Sequence, residues 1–146
     1  MKHGVDGFRV DALPFLFETA DMEQDEPLRK NPDPELNADD YEFYDHPVTM
    51  DYPETYDMVH QWRELVDTYP DGKQRVIMTE CYTSFDKTIE YYGTKDKLGA
   101  HFTFNFQLIT SINKSSKAAD FKKAIDVWMD AMDWRWPNWV VSSCLL

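Results

Sequence analysis

No run of apolar residues in this 146-residue chain approaches the roughly 18 needed to span a bilayer, so it contains no transmembrane segment. Met1-Lys2-His3-Gly4 leads into a strand-like stretch and does not read as a signal peptide, so no targeting address is expected in these residues. Cysteine is nearly absent. Cys81 and Cys144 form neither a metal-spaced cluster nor a disulfide framework and read as ordinary thiols. Basic residues are scarce, 15 against 27 acidic, and the resulting charge of −12 excludes a nucleic-acid partner, whose phosphates demand a basic surface. No Gly-rich loop follows the first strand-like segment, so dinucleotide binding lacks support. Nor does the chain hold a dedicated set of calcium ligands, and no metal or cofactor is expected.

What is present suits a folded protein: 42% apolar residues and 15% aromatics are ample for a core. The acidity is concentrated, since residues 18–57 hold 14 acidic and 2 basic side chains and so account for the whole net charge. A loop-borne acidic surface explains this more simply than a cation site. Prolines at 27, 32, 34, 47 and 53 break regular structure across the same stretch, which predicts a long excursion over residues 12–53.

Around that excursion the pattern alternates. Val5-Asp6-Gly7-Phe8-Arg9-Val10-Asp11 puts Gly7, Arg9 and Asp11 on one face of a short strand and Phe8 and Val10 on the other. Tyr56, Val59, Trp62, Val66 and Tyr69 then recur at helical spacing, and Pro70-Asp71-Gly72 closes that helix. Arg75-Val76-Ile77-Met78-Thr79-Glu80 reads as a buried parallel strand ending on a carboxylate. Ser84 is placed to cap a short helix over Phe85, Ile89 and Tyr92, with Gly93 reversing the chain. His101-Phe102-Thr103-Phe104-Asn105-Phe106 alternates as a third strand. Phe121, Ile125, Trp128 and Met132 share a helical stripe, and Trp139-Val140-Val141 begins a fourth strand-like run. Strands alternating with helices imply right-handed crossovers and a parallel sheet, hence the α/β class. Both a doubly wound sheet and part of an eight-stranded β/α barrel fit. Charged residues at successive strand ends favour the barrel, whose chemistry sits at that rim.

Asp11 and Glu80, ending two such strands, would face each other across the rim. Paired carboxylates suit glycoside hydrolysis, in which one attacks the anomeric carbon and the other protonates the leaving oxygen. Arg9, on the same strand face as Asp11, would keep that carboxylate ionised, as a nucleophile requires. Glu80 follows apolar Val76, Ile77 and Met78 with no adjacent base, so partial burial would suit it to the acid role. Against this, an Arg-x-Asp on a strand is usually a structural ion pair and a terminal Glu is usually solvated. His101 and Asn105 share a strand face and could meet sugar hydroxyls, although a structural role is as good a reading. Tyr41, Phe43, Tyr44 and Trp62 could stack on sugar rings, while packing accounts for most such aromatics. Asn113-Lys114-Ser115 has the form of an N-glycosylation acceptor, meaningful only in a secreted protein.

Gly4-Val5-Asp6-Gly7-Phe8-Arg9-Val10-Asp11-Ala12 resembles the nucleophile motif of the α-amylase-type glycoside hydrolases, in particular insect maltases. Arg75-Val76-Ile77-Met78-Thr79-Glu80-Cys81-Tyr82-Thr83 is similar to their acid/base motif, with Cys81 where alanine is expected. Gly99-Ala100-His101-Phe102-Thr103-Phe104-Asn105-Phe106 and Trp136-Pro137-Asn138-Trp139-Val140-Val141 also match. The resemblance implies a (β/α)8 barrel, entered at its fourth strand and left at its seventh, in a retaining α-glucosidase with Asp11 as nucleophile, Arg9 as its partner and Glu80 as general acid/base. The carboxylates would lie roughly 5 Å apart. Maltose, sucrose and short α-linked glucosides would be substrates, and the parent enzyme would be extracellular or membrane-anchored. The family's third carboxylate, in an Asn-His-Asp element, and its upstream sugar-binding motif are not in this chain, which implies an inactive fragment. Amino-acid transporter heavy chains, which share the fold but have lost catalytic carboxylates, give an alternative interaction role, disfavoured by the retention of Arg9, Asp11 and Glu80.

Overall fold

The computed structural model describes residues 3–141, which leaves Cys144 outside the described residues. Strands β1 (Gly7–Val10), β2 (Val76–Thr79) and β3 (Phe102–Thr103) form one parallel sheet in chain order. Helix α1 (Pro53–Asp67) joins β1 to β2, and α2 (Phe85–Glu90) joins β2 to β3. The short α3 (Gln107–Thr110) and the long α4 (Ala118–Met132) follow β3. This is a run of β/α units, as the alternating pattern predicts.

Each boundary has a local cause. Pro53 sits in the first turn of α1, where its missing N–H is no loss, and Thr68 ends the helix by returning both its N–H and its hydroxyl to the Glu64 carbonyl, at 3.0 and 2.7 Å. Ser84 caps α2 by accepting from the Lys87 N–H, and Gly93 reverses the chain at φ +73°. Asp120 reaches back from the first turn of α4 to the Lys117 N–H at 2.7 Å.

Two apolar clusters hold helices to sheet. Leu13, Val59, Cys81, Tyr91 and Ala100 are buried together, with Val10, Tyr56 and Trp62 packed against them. Tyr92, Trp128 and Met132 form the second, with Phe85 and Ile89 alongside. The sequence stripe on α4 is only half right. Trp128 and Met132 are buried, but Phe121 and Ile125 are exposed, because the inward line runs through the small Ala124 instead. Tyr69 lies beyond the end of α1 and packs its ring under the Arg75 guanidinium, 4.5 Å from the ring centre.

The expected fourth strand is not a strand among the described residues. Residues 139–141 follow β3's continuation, where the Val140 N–H approaches the Asn105 carbonyl at 3.3 Å, without entering a ladder. Residues 12–52 hold only two short 3-10 turns and a single antiparallel bridge, Leu28 to Tyr44. No helix among the described residues is long and apolar enough to cross a membrane.

Candidate active site

Register places the two carboxylates together. Arg9 pairs with Met78 and Val10 with Thr79, so the next rung of the ladder sets Asp11 beside Glu80. Neighbouring strands run about 4.8 Å apart. The Glu80 N–H donates to the Val10 carbonyl at 2.8 Å, and the Glu80 carbonyl accepts from Leu13 at 3.1 Å, so the β1–β2 contact persists past the formal strand ends. Between these bonds the chain turns away through Ala12, whose φ of 49° is left-handed and unusual for a residue with a side chain.

Arg9 joins the pair. Its Nε lies 2.7 Å from Asp11 Oδ1, and its Nη2 donates to Glu80 Oε2. The guanidinium also rests 5.4 Å from the Phe104 ring centre. Glu80 therefore has an adjacent base, contrary to the reading of its sequence neighbours. The base comes from the next strand, which local sequence does not show. The carboxylates do differ in setting, since the Glu80 side chain is 19% exposed and that of Asp11 66%.

Alternation separates the other candidates from this face. Thr79 and Thr103 point into the buried layer, where their hydroxyls meet at 2.9 Å. His101 and Asn105 flank Thr103 at two-residue spacing and bond to the backbone around it. His101 Nδ1 accepts from the Ile77 N–H at 3.1 Å. Burial and then the Arg63 charge pull its pKa below the ordinary histidine value, with Asp67 opposing. Asn105 is 1% exposed, its Oδ1 accepts from Gln107 N at 3.0 Å, and its Nδ2 finds no hydrogen-bond partner among the described residues. The Cys81 thiol is packed in the core and pushed up by burial.

Of the aromatics singled out in the sequence, Tyr41 stacks on His46 at 3.7 Å and Phe43 packs edge-on against Tyr44, both within the excursion, while Trp62 packs on the core. Trp62 also lines a cleft with Arg9 and Asp11, and further aromatics stand on the Glu80 side. Tyr82, two residues past Glu80, stacks on Phe106 at 4.0 Å, and Phe106 meets Phe104 edge-on. The period-two spacing of Phe102, Phe104 and Phe106 was the available signal.

Asp51 is a second residue that sequence reasoning missed. Held at φ +58°, it accepts from Tyr91 Oη at 2.9 Å and from the Thr83 hydroxyl, tying the end of the excursion to the turn behind Glu80. Burial and then the Asp51 charge raise the pKa of Tyr91, which keeps that hydroxyl a donor. Among the described residues, no three His, Cys, Asp or Glu side chains converge as metal ligands.

The chain is 46% identical to Maltase A1 of Drosophila melanogaster over 96% of its own length and 26% of that protein. It is 42% identical to a salivary alpha-glucosidase of Aedes aegypti, over 98% of this chain and 25% of that one. It thus spans about a quarter of the length of these curated relatives. A solved structure described as a Family GH13_31 enzyme superposes with a TM-score of 0.62 at 22% identity, covering 94% of this chain and 25% of that one, and so supports the barrel fold. The profile of the alpha-amylase catalytic domain matches residues 1–143. By that match, and by strand-end geometry consistent with it, the chain belongs to the alpha-amylase catalytic-domain family.

Proposed function

We propose that the full-length protein carrying this chain is a retaining α-glucosidase that removes terminal α-linked glucose from maltose, sucrose and short oligosaccharides. The observation that carries this is the single guanidinium of Arg9 bonded to Asp11 and Glu80 on one rung of adjacent parallel strands. An inter-strand spacing of about 4.8 Å suits the short carboxylate separation of a retaining enzyme. Asp11, the more exposed carboxylate, attacks the anomeric carbon and forms a glycosyl ester as the glycosidic C–O bond breaks. Glu80 gives its proton to the departing oxygen, then takes one from the water that cleaves the ester. Arg9 holds the two groups in register. Tyr82 and Phe106 offer an aromatic edge beside Glu80 for a sugar ring.

In this reading the chain is an internal piece of the barrel over its whole length, with residues 12–53 as an acidic excursion. Its strands are the fourth to sixth of the barrel, and residues 139–141 lead toward the seventh. The salivary relatives support a parent that works outside the cell, free or membrane-anchored. The isolated 146-residue polypeptide is inactive, because the three strands among the described residues cannot close an eight-stranded wall.

The test is hydrolysis of α-glucosides by the full-length protein and its Asp11→Asn and Glu80→Gln variants. Both should lose at least about a thousandfold in kcat on maltose. On a nitrophenyl glucoside, whose leaving group needs no proton, Glu80→Gln should recover much of the glycosylation step while Asp11→Asn stays inactive. Undiminished turnover in either variant on maltose sinks the assignment. A wild-type protein without turnover would instead favour an interaction role like that of the transporter heavy chains.

A further inference from the structure

The loop between α3 and α4 carries the chain's single Asn-x-Ser/Thr triplet, Asn113-Lys114-Ser115. The loop folds into a tight, exposed turn. The Asn113 carbonyl accepts from Ser116 N at 3.0 Å, and the Asn113 N–H donates to Ser116 Oγ at 2.9 Å. The Asn113 side chain joins through its oxygen alone, as Oδ1 accepts from Ser115 N at 2.9 Å. Asn113, Lys114 and Ser115 are all exposed.

This division of labour within one side-chain amide matters. N-linked attachment replaces a hydrogen on Nδ2 and leaves the amide oxygen an acceptor, so the bond that shapes the turn survives modification. An Asn whose Nδ2 donated into the turn would have to surrender it. Beside the turn, Gln107, Ser111, Asp120 and Lys123 line a cleft of about 390 Å³ with Ala124 and Val127, which offers hydrogen-bonding partners and an apolar floor to a first sugar.

We propose that Asn113 is an N-glycosylation site, accepting an oligosaccharide from a lipid diphosphate donor in the secretory lumen. Nδ2 forms a C–N bond to the anomeric carbon of the donor as the C–O bond to the diphosphate breaks. The Nδ2 proton passes to a base of the transferase, and the lipid diphosphate leaves. The site is independent of the catalytic carboxylates and does not require that the glycosidase reading be right.

The chain is expressed in insect cells behind a cleavable secretion leader, alongside Asn113→Gln, Ser115→Ala and Asp39→Ser. The last completes a second triplet at Asn37 on the exposed excursion and reports delivery to the lumen. Transfer occurs on the emerging polypeptide, so the readout does not depend on whether the isolated chain folds. The expected result is one discrete mobility shift, removed by peptide N-glycosidase, lost in Asn113→Gln and Ser115→Ala, and doubled in Asp39→Ser. A wild-type chain that emerges unshifted while Asp39→Ser gains a glycan at Asn37 overturns the proposal, as does a shift that persists in Asn113→Gln.

Discussion

The two faces of the small sheet do different jobs with the same strands. On one, Ile77, Thr79, Cys81 and Thr103 are buried under the helices. On the other, Arg9, Asp11 and Glu80 meet with the guanidinium half-exposed. Alternation by single residues is all that separates them, so a strand four residues long serves packing on one face and, in the proposed enzyme, chemistry on the other. At the edge of β1 the two faces meet, where Phe8, Trp62 and Leu65 together with Arg9 and Asp11 line a largely apolar cleft of about 540 Å³. Packing belongs to the local β/α units, whereas chemistry depends on neighbours.

The contrast can be broken most sharply with one variant from each side of the sheet, made in the full-length protein. Trp128→Ala, removing a side chain that is 1% exposed, should cost about 3–5 kcal/mol in urea unfolding and leave the turnover of the folded fraction intact. Arg9→Met should do the reverse, lowering kcat about a hundredfold or more with little change in unfolding midpoint. A large stability loss from Arg9→Met would mean that its ion pairs serve the fold.

A smaller effect sharpens the buried side alone. Thr79→Val leaves the Thr103 hydroxyl without its partner in a sealed layer, and should cost about 1–3 kcal/mol. Adding Thr103→Val should restore much of it, since two matched methyl-bearing chains bury no orphan. A double variant less stable than the single one would contradict this, read by the same unfolding curves.

The smallest effect is on pH. His101 has a lowered pKa, so the unfolded chain binds a proton before the folded one does. Its contribution to stability is therefore full above the unfolded value of about 6.5 and is lost as pH falls through the folded value. His101→Gln should flatten that part of the stability profile measured by thermal melting. An unchanged slope would assign it to other groups.

The sequence showed clearly those features whose causes are local. The stripe of α1 from Tyr56 to Val66, the Ser84 cap and the Gly93 turn each depend on a few adjacent residues, and each is where the pattern put it, although the helix ends before Tyr69. The stripe of α4 misled at Phe121 and Ile125, because hydrophobicity does not reveal which line of a helix faces inward when Ala124 marks it. Residues 139–141 have strand-like composition, but a strand needs a partner and composition cannot supply one. At the site, Asp11, Glu80 and Arg9 were legible from strand-end chemistry and from resemblance. The bond from Arg9 to Glu80 spans 71 residues and was not. Nor was Asp51, two of whose hydroxyl donors lie 32 and 40 residues away and share no pattern with it.

The acidic excursion has a narrow neck. The Asp51 N–H donates to the Pro14 carbonyl at 2.8 Å and the Thr19 N–H to the Val48 carbonyl at 2.9 Å, while Glu26 clasps the Val48 and Thr49 amides from within at 3.1 and 3.0 Å. Everything between Thr19 and Val48 thus leaves and re-enters the fold at nearly the same point. Because doubling a flexible loop costs only about 0.6 kcal/mol in closure entropy, the part of this segment beyond Glu26 is open to exchange. Its length and charge can drift, or be rewritten by an engineer, while the neck keeps the strand ends where they are.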